Sequence, residues 1–314
     1  MNSTKLVAIV AHDAGGAEIL ASYVAQSRIT CRFILAGPAV NVFRRRLGMI
    51  EILSLTEGLS SCDAVLCGTS WQSDLEWTAI DQAQRAGIRV ASFLDHWVNY
   101  PERFIRNGVQ HLPDELWVGD EYAEKMAAMH FPDIPVLLVP NPHFSDIKRE
   151  ISELMPDQAK TRSGGEILFV SENISDHARL RYADERYWGY TEFDAIEYLL
   201  QNRVALGVQI DGVVIRPHPS DAPGKYEPIK NLYAGFVRVG GDIPLLNEIA
   251  AADIIAGCQS MAMVVGLLAQ KRVVSCIPPG GPECSLPQKQ ILQLRDQVLA
   301  SNVDSAVQCL LPFR

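Results

Sequence analysis

From Lys5 to Pro278 the chain alternates apolar runs of strand length with stretches of helical period, and that alternation breaks only once. In the first half the apolar runs are KLVAIVAH (5–12), CRFILAG (31–37), AVLCG (64–68), RVASFLD (89–95), ELWVGD (115–120) and VLLVPN (136–141). Helical stretches fall between them at 16–27, 38–47, 73–86, 120–130 and 144–154. The pattern restarts with EILFVSE (166–172), GVVIRPH (212–218), GFVRVG (235–240), DIIAGC (253–258) and RVVSCIP (272–278), with helices around 191–203, 243–251 and from Ser260 to about Gln270. Strands that are apolar almost throughout must be covered on both faces, and a sheet achieves this when it is parallel and wrapped by helices. The break itself, MPDQAKTRSGGE (155–166), is polar and carries a proline and paired glycines, which is linker composition.

The expectation is therefore an α/β chain of two Rossmann-like, doubly wound parallel-sheet domains, 1–154 and 166–314, joined by a linker at 155–165 and facing each other across a cleft. A length of 314 residues suits two cores better than one. No internal sequence repeat accompanies the repeated architecture. In doubly wound sheets ligands bind outside the carboxyl ends of the strands, so chemistry is expected in the strand-end loops, with closure about the linker excluding water.

Composition removes several classes of function. The chain is 48% hydrophobic and 21% charged, and no apolar run approaches the roughly 20 residues of a membrane span. The N-terminal apolar run is short, ends in His12-Asp13 and lacks a small-residue cleavage site, so it reads as a buried strand of a cytoplasmic protein. A net charge of −9 argues against nucleic acid as a partner, because that affinity comes from neutralising phosphates. One local exception, Arg44-Arg45-Arg46 between Phe43 and Leu47, reads as a solvated helix face or as a contact with an anionic membrane surface or an anionic acceptor. Seven scattered cysteines without a C-x-x-C pair fit free, mostly buried thiols in a reducing compartment, and they offer no metal site.

Two strand ends stand out in the first half. His12-Asp13-Ala14-Gly15-Gly16 follows the first strand and precedes a helix. The glycines allow a tight turn and close approach to a ligand, and the helix start offers free N–H groups. The loop is not G-x-G-x-x-G, and no acid ends the second strand, so a dinucleotide cofactor is not expected. His12 or Asp13 can serve as general base; the competing reading is a helix cap by Asp13 beside a packed His12. Asp95, His96, Trp97, Tyr100 and Arg103 crowd a non-helical segment after the fourth strand. Asp95 and His96 are further acid–base candidates there. Aromatic rings beside hydrogen-bonding groups suit a sugar-binding surface on the acceptor side, and packing between domains is the alternative. In GTSWQSDLEW (68–77), Ser70 and Ser73 read as N-caps and Glu76 as a capping-box partner of Ser73.

In the second half three strand ends converge: Ser171-Glu172-Asn173, Arg216-Pro217-His218-Pro219, and Gln259-Ser260 at a helix start. A serine hydroxyl beside free N–H groups makes an anion site, and Arg216 and His218 on a proline-stiffened strand end would hold a monophosphate or diphosphate from a second direction. His218 alone reads equally well as a structural histidine. The loop CIPPGGPECSLPQ (276–288) either borders the donor pocket or crosses the surface, and the surface reading is slightly preferred.

RPHP after a strand, followed by AAADIIAGCQSMAMVVGLLAQKRVVS, resembles the C-terminal domain of GT-B-fold glycosyltransferases. The nearest likeness is to bacterial surface-polysaccharide enzymes, the sialyl- and Kdo-transferase groups with a His-Pro motif and the CDP-glycerol polymerases. The resemblance covers the C-terminal half. It implies a metal-independent glycosyltransferase without cofactor, moving a sugar from a nucleotide-activated donor to a glycan or lipid-linked hydroxyl acceptor. His218 and Ser260 take the family's phosphate contacts. The acidic-acidic-glycine motif that supplies the base in the sialyltransferase groups has only His12-Asp13-Ala14-Gly15 as its counterpart here. A nucleotide-sugar epimerase or hydrolase, and a non-catalytic nucleotide-sugar-binding protein, are the rival readings.

Overall fold

The computed structural model describes residues 5–70, 73–155 and 165–310, with side chains to residue 302. The chain divides into two compact units, Met1–Asp146 and Ile147–Arg314. Most of the expected linker, residues 156–164, lies outside the described residues.

The first unit runs β1 (Leu6–Ala11), α1 (Ala14–Ser27), β2 (Thr30–Leu35), α2 (Pro38–Leu47), α3 (Leu55–Leu59), β3 (Ala64–Cys67), α4 (Leu75–Arg85) and β4 (Arg89–Leu94). A two-stranded antiparallel ribbon, β5 (Ile105–Arg106) and β6 (Val109–Gln110), precedes β7 (Glu115–Val118), α5 (Glu121–His130) and β8 (Val136–Leu138); α6 (Pro142–Leu154) follows and carries the division between Asp146 and Ile147. The six-stranded sheet has the order β2-β1-β3-β4-β7-β8 and is parallel throughout. A single parallel bridge from Phe33 to Ile52 adds a rudimentary strand beyond β2. Chain order therefore reverses between β1 and β3, which makes their carboxyl ends the switch point where such sheets hold ligands. Ile9, Ala11, Leu20, Leu35, Phe43, Leu66 and Phe93 form the core against this sheet.

The second unit runs β9 (Gly165–Val170), α7 (Ile174–Tyr182), α8 (Glu192–Asn202), β10 (Ile210–Arg216), α9 (Glu227–Leu232), β11 (Val237–Val239), α10 (Leu245–Ala251), β12 (Ile254–Gly257), α11 (Met261–Leu268), β13 (Arg272–Ser275), β14 (Leu292–Gln293) and α12 (Leu294–Leu310). Its sheet order, β11-β10-β9-β12-β13-β14, is also fully parallel. Counted from β9 this is 3-2-1-4-5-6, the Rossmann order, with the switch point between β9 and β12. Ile167, Phe169, Ile196, Leu199, Ile215 and Ala256 are fully buried in its core beside Tyr190 and Tyr226.

The apolar runs are strands in both units because burial along them is continuous toward their carboxyl ends, as in β1 and β9. The periodicity does not indicate α3, α7, α9 or α12; of these, α7 buries only Ile174 and Ala178, and α9 buries no residue. Among the described residues no helix is long and apolar enough to cross a membrane. Arg45 is paired with Glu18 and Arg46 with Asp146 inside the first unit, so two of the three adjacent arginines are already neutralised and the cluster is less basic than its sequence. Cys62, Cys67, Cys258 and Cys276 are buried free thiols, and burial raises their pKa values, which leaves them unreactive.

Candidate functional site

At the switch point of the first unit the β1–α1 and β3–α4 turns touch. A Cβ on Gly16 would lie 3.3 Å from the Gly68 Cα, so a side chain there would have to push one turn away. Asp13 stands at the N-cap position of α1, yet its side chain makes no capping bond. It accepts instead from His12 Nδ1 at 2.7 Å, which overturns the cap reading. With the Nδ1 proton directed at a carboxylate, the lone pair of His12 falls on Nε2, the arrangement of a base held by an acid. A Cβ on Gly37 would stand 2.5 Å from that Nε2, so glycine at this positive-φ position keeps the nitrogen open.

Glu76 completes this corner and does not act as a capping-box partner of Ser73. The N-cap of α4 is Asp74, and Glu76 turns inward, where Oε1 accepts the His12 backbone N–H at 2.7 Å and Oε2 has no partner. The residue is 3% exposed. Burial, with Asp13 adding repulsion, pushes its pKa from 4.5 up to about 7. A carboxyl protonated near neutrality therefore lies behind the His12–Asp13 pair.

That shift carries a stability consequence. The folded pKa lies above the unfolded one, so the group's contribution is fully present below about pH 4.5 and is lost as pH rises through about 7. The gap corresponds to about 3 kcal/mol. Glu76→Gln is expected to remove this dependence, gaining about 3 kcal/mol on wild type between pH 4.5 and 8. Urea unfolding across that range checks it, and parallel stability profiles for the two proteins would refute the buried proton.

Asp95 at the end of β4 joins the same corner. A Cβ on Gly15 would lie 2.3 Å from Asp95 Oδ2, so the carboxylate rests against the first turn of α1 where only glycine fits. Its Oδ1 is bound by Arg103 and, at 3.3 Å, by the Thr69 hydroxyl; Arg103 also donates to Thr69 Oγ1 at 2.6 Å. Arg103 is buried and clamps two strand-end loops together, so it is not an acceptor contact. His96 is held below its usual pKa by burial, with Arg103 reinforcing that effect against Asp95, and its Nδ1 accepts the Trp97 backbone N–H at 2.9 Å.

The aromatic sugar platform expected at Trp97 and Tyr100 is not present. Both rings are in the core, at 3% and 1% exposure, and Trp97 Nε1 donates to Asp120 at 3.0 Å. Bulky rings beside an apolar strand end gain more from burial than from a wet surface, and both pack inside the first unit, Trp97 on Asp120 and Tyr100 edge-on to His130. The crevice lined by Asp95, His96, Trp97, Asp120 and Asn141 measures about 10 Å3, room for one water.

In the second unit β10, β9 and β12 are neighbours, so the three expected loops do lie side by side. Their chemistry differs from the expectation in two places. The Glu172 carboxylate accepts the backbone N–H groups of Cys258 at 3.1 Å and Gln259 at 2.7 Å. The side-chain oxygen of Ser260 accepts from Ala262 N–H at 3.2 Å. The loop leading from β12 into α11 is thus held by the chain's own acid; burial nevertheless raises the pKa of Glu172 against those donors. Arg216 is bound to Glu248 and to the Ile243 carbonyl, which neutralises its charge away from any ligand.

His218 remains the open group. Its backbone N–H donates to Asp221 Oδ2 at 2.8 Å, its Nδ1 meets the Ser220 hydroxyl at 2.7 Å, and its Nε2 has no partner among the described residues. Ser171 is buried and bonded to Tyr226 OH at 2.6 Å, while Asn173 Nδ2 donates to Ser220 at 2.9 Å. Beneath them Lys225 lies between Glu192 and Asp221, whose side chains are both fully buried. Burial would lower the pKa of Lys225, but the two carboxylates outweigh it and raise the value. Burial would likewise raise Glu192, yet bonds from Lys225 and Ser175 hold it below its usual value. The loop 276–288 is only partly a surface crossing: its middle is exposed, Cys276, Ile277, Leu286 and Gln288 are buried, and Ser285 N–H reaches Gln259 Oε1 at 3.4 Å. A separate cavity of about 480 Å3 lies at the opposite, amino-terminal ends of β9, β10 and β11, away from all these groups.

Lys225, Asp221 and Glu192 escape a reading of the strand ends, and Glu76 is read there only as a capping partner. A signal for the two glutamates was present. Glu76 shares its helix face with Ala79, Ile80 and Ala83, and Glu192 with Ala195, Ile196 and Leu199, so each is an acid on an apolar stripe.

Solved structures share this architecture end to end. UDP-GlcNAc 2-epimerase of Methanocaldococcus jannaschii, in complex with UDP-GlcNAc and UDP, matches with TM-score 0.61 and 10% identity over 95% of this chain and 92% of that one. The chain has the GT-B fold. UDP-GlcNAc 2-epimerase of Neisseria meningitidis bound to UDP-GlcNAc gives TM-score 0.58 and 13% identity over 96% and 91% of the two chains. MurG of Acinetobacter baumannii gives 0.50 and 14% over 96% and 90%. At these identities the likeness is one of fold. No protein-family model matches the sequence, and no curated protein matches it.

Proposed function

We propose that the chain is an enzyme acting on a nucleotide-activated sugar whose phosphate is received at the carboxyl end of the second unit's sheet. The observation that carries this is the open Nε2 of His218, two residues past the end of β10, which neighbours β9 at the switch point of a sheet in Rossmann order. Likeness in fold to enzymes solved with UDP-GlcNAc and UDP supports it. The first reading of the chemistry is transfer of the sugar to a glycan or lipid-linked hydroxyl in bacterial surface-polysaccharide or glycoconjugate synthesis, as the His-Pro resemblance implies. The Nε2 lone pair of His12 suits removal of the acceptor's proton.

A second reading, acceptor-free isomerisation of the nucleotide sugar, is favoured by two observations. Trp97 and Tyr100 offer no surface to an acceptor, and Glu76 puts a proton-bearing carboxyl beside the His12–Asp13 pair. Inverting a sugar carbon requires one group to take a proton and another to return it. Incubating the protein with UDP-GlcNAc alone, followed by proton NMR, separates the two readings. New sugar-nucleotide resonances without acceptor mean isomerisation; UDP release that depends on an added hydroxyl acceptor means transfer. If no UDP-, CDP-, GDP- or CMP-sugar shifts the melting temperature, both readings fail.

A further inference from the structure

We infer that Asn173 and Ser220 are positioning residues that lock His218 in the tautomer bearing its proton on Nε2, making the open nitrogen a hydrogen-bond donor for an anionic oxygen. The inference deepens the reading of His218 as a phosphate contact and rests on that reading for the identity of the oxygen alone. The tautomer follows from which groups can only give and which can only take.

Lys225 has donors and no acceptor, and its Nζ lies 3.5 Å from Asn173 Oδ1. The amide of Asn173 is therefore oriented with Nδ2 toward Ser220, 2.9 Å from the hydroxyl oxygen, which must accept. Accepting from Asn173 leaves the hydroxyl its own proton, free to be given to His218 Nδ1 at 2.7 Å. The Ser220 backbone N–H, which can only donate, also points at Nδ1, at 3.2 Å. Two donors converge on Nδ1, so it carries the lone pair and the ring's proton resides on Nε2. Lys225 is itself paired with Glu192 and Asp221, so the relay starts from a buried ion cluster.

The opposite arrangement holds at His12, where Nδ1 faces the Asp13 carboxylate and must donate. The two strand-end histidines are thus set for opposite tasks. His12 Nε2 accepts a proton, and His218 Nε2 presents one. An N–H donor serves a phosphate oxygen and does not serve a base.

The test is the imidazole 15N–1H correlation spectrum of the full chain, with His218 identified by the signal lost in His218→Gln. Wild type is expected to show a protonated Nε2 and a lone-pair Nδ1 at neutral pH. Ser220→Ala and Asn173→Asp are expected to populate the other tautomer, because the first removes the hydroxyl and the second draws its proton away from the ring. Ser220→Thr keeps the hydroxyl and is expected to keep the wild-type signature. A wild-type His218 with its proton on Nδ1 overturns the inference, and so do Ser220→Ala and Asn173→Asp spectra identical to wild type. UDP is then added to wild type. An Nε2–H resonance that moves supports the phosphate reading, whereas one that stays put while the tautomer is as stated overturns that reading and leaves this one standing.

Discussion

Replacing Lys225 with methionine is expected to cost the second unit about 3 to 5 kcal/mol, the usual penalty for removing one partner of a buried ion cluster. The wild-type ammonium lies between Glu192 and Asp221, two side chains with no solvent exposure, and Asp176 is 3.8 Å away. Methionine fills much of the same volume, so the loss is electrostatic: two carboxylates would remain in the interior with no cation between them. The pH dependence has a definite sign. In wild type Glu192 titrates below its usual value, so its contribution is present above the unfolded pKa and lost as pH falls through the folded one. Without Lys225 the Glu192 carboxylate loses the cation that holds it ionised, so the variant's deficit is greatest at pH 8 and shrinks toward pH 4. Urea unfolding of Lys225→Met at those two values measures it. Adding Glu192→Gln should return part of the loss, and a single-variant cost below about 1 kcal/mol would mean that the cluster is not a buried ion pair.

His218→Ala is expected to slow turnover of the nucleotide sugar roughly 100-fold or more, the effect of deleting one donor to developing charge, ~2.7 to 4 kcal/mol of barrier. Its stability should change little. The half-buried ring bonds only to the neighbouring Ser220, and the loop is anchored by the His218 backbone N–H on Asp221, which alanine retains. Ser260→Ala should behave in the reverse manner. Its hydroxyl caps α11, so the loss is about 1 kcal/mol of stability with a smaller effect on rate. Turnover and urea midpoints measured on both variants check this pair. Activity of His218→Ala within a few-fold of wild type would remove the phosphate role.

Much of the fold was legible because it depends on patterns local to each segment. Continuous apolar runs at strand length, separated by helical stretches, specify parallel sheets covered on both faces, and both sheets are parallel from edge to edge. The positions of the loops were legible for the same reason, since each strand must end where its apolar run ends. His12, Asp13, Gly15 and Asp95 do meet at one corner of the first unit, and Ser171, Asn173 and His218 do lie at adjacent strand ends of the second.

What each loop residue does was a different matter, because a side chain's role depends on which distant group reaches it first. Trp97 and Tyr100 looked like a sugar surface and are core. Arg216 looked like a phosphate clamp and is bound to Glu248, 32 residues further on. The loop before α11 looked open to an anion, and its Cys258 and Gln259 N–H groups are taken by Glu172, 86 and 87 residues away in the chain.

The sequence by itself determined that two doubly wound α/β units form and where their strand ends fall, since apolar periodicity and helix-breaking loops act within a few residues of one another. Only the tertiary structure decided which charges remain available. Coulombic pairing in a desolvated interior links residues far apart in the chain, and no spacing rule records that Lys225 meets Glu192 or that Glu76 folds back beneath His12.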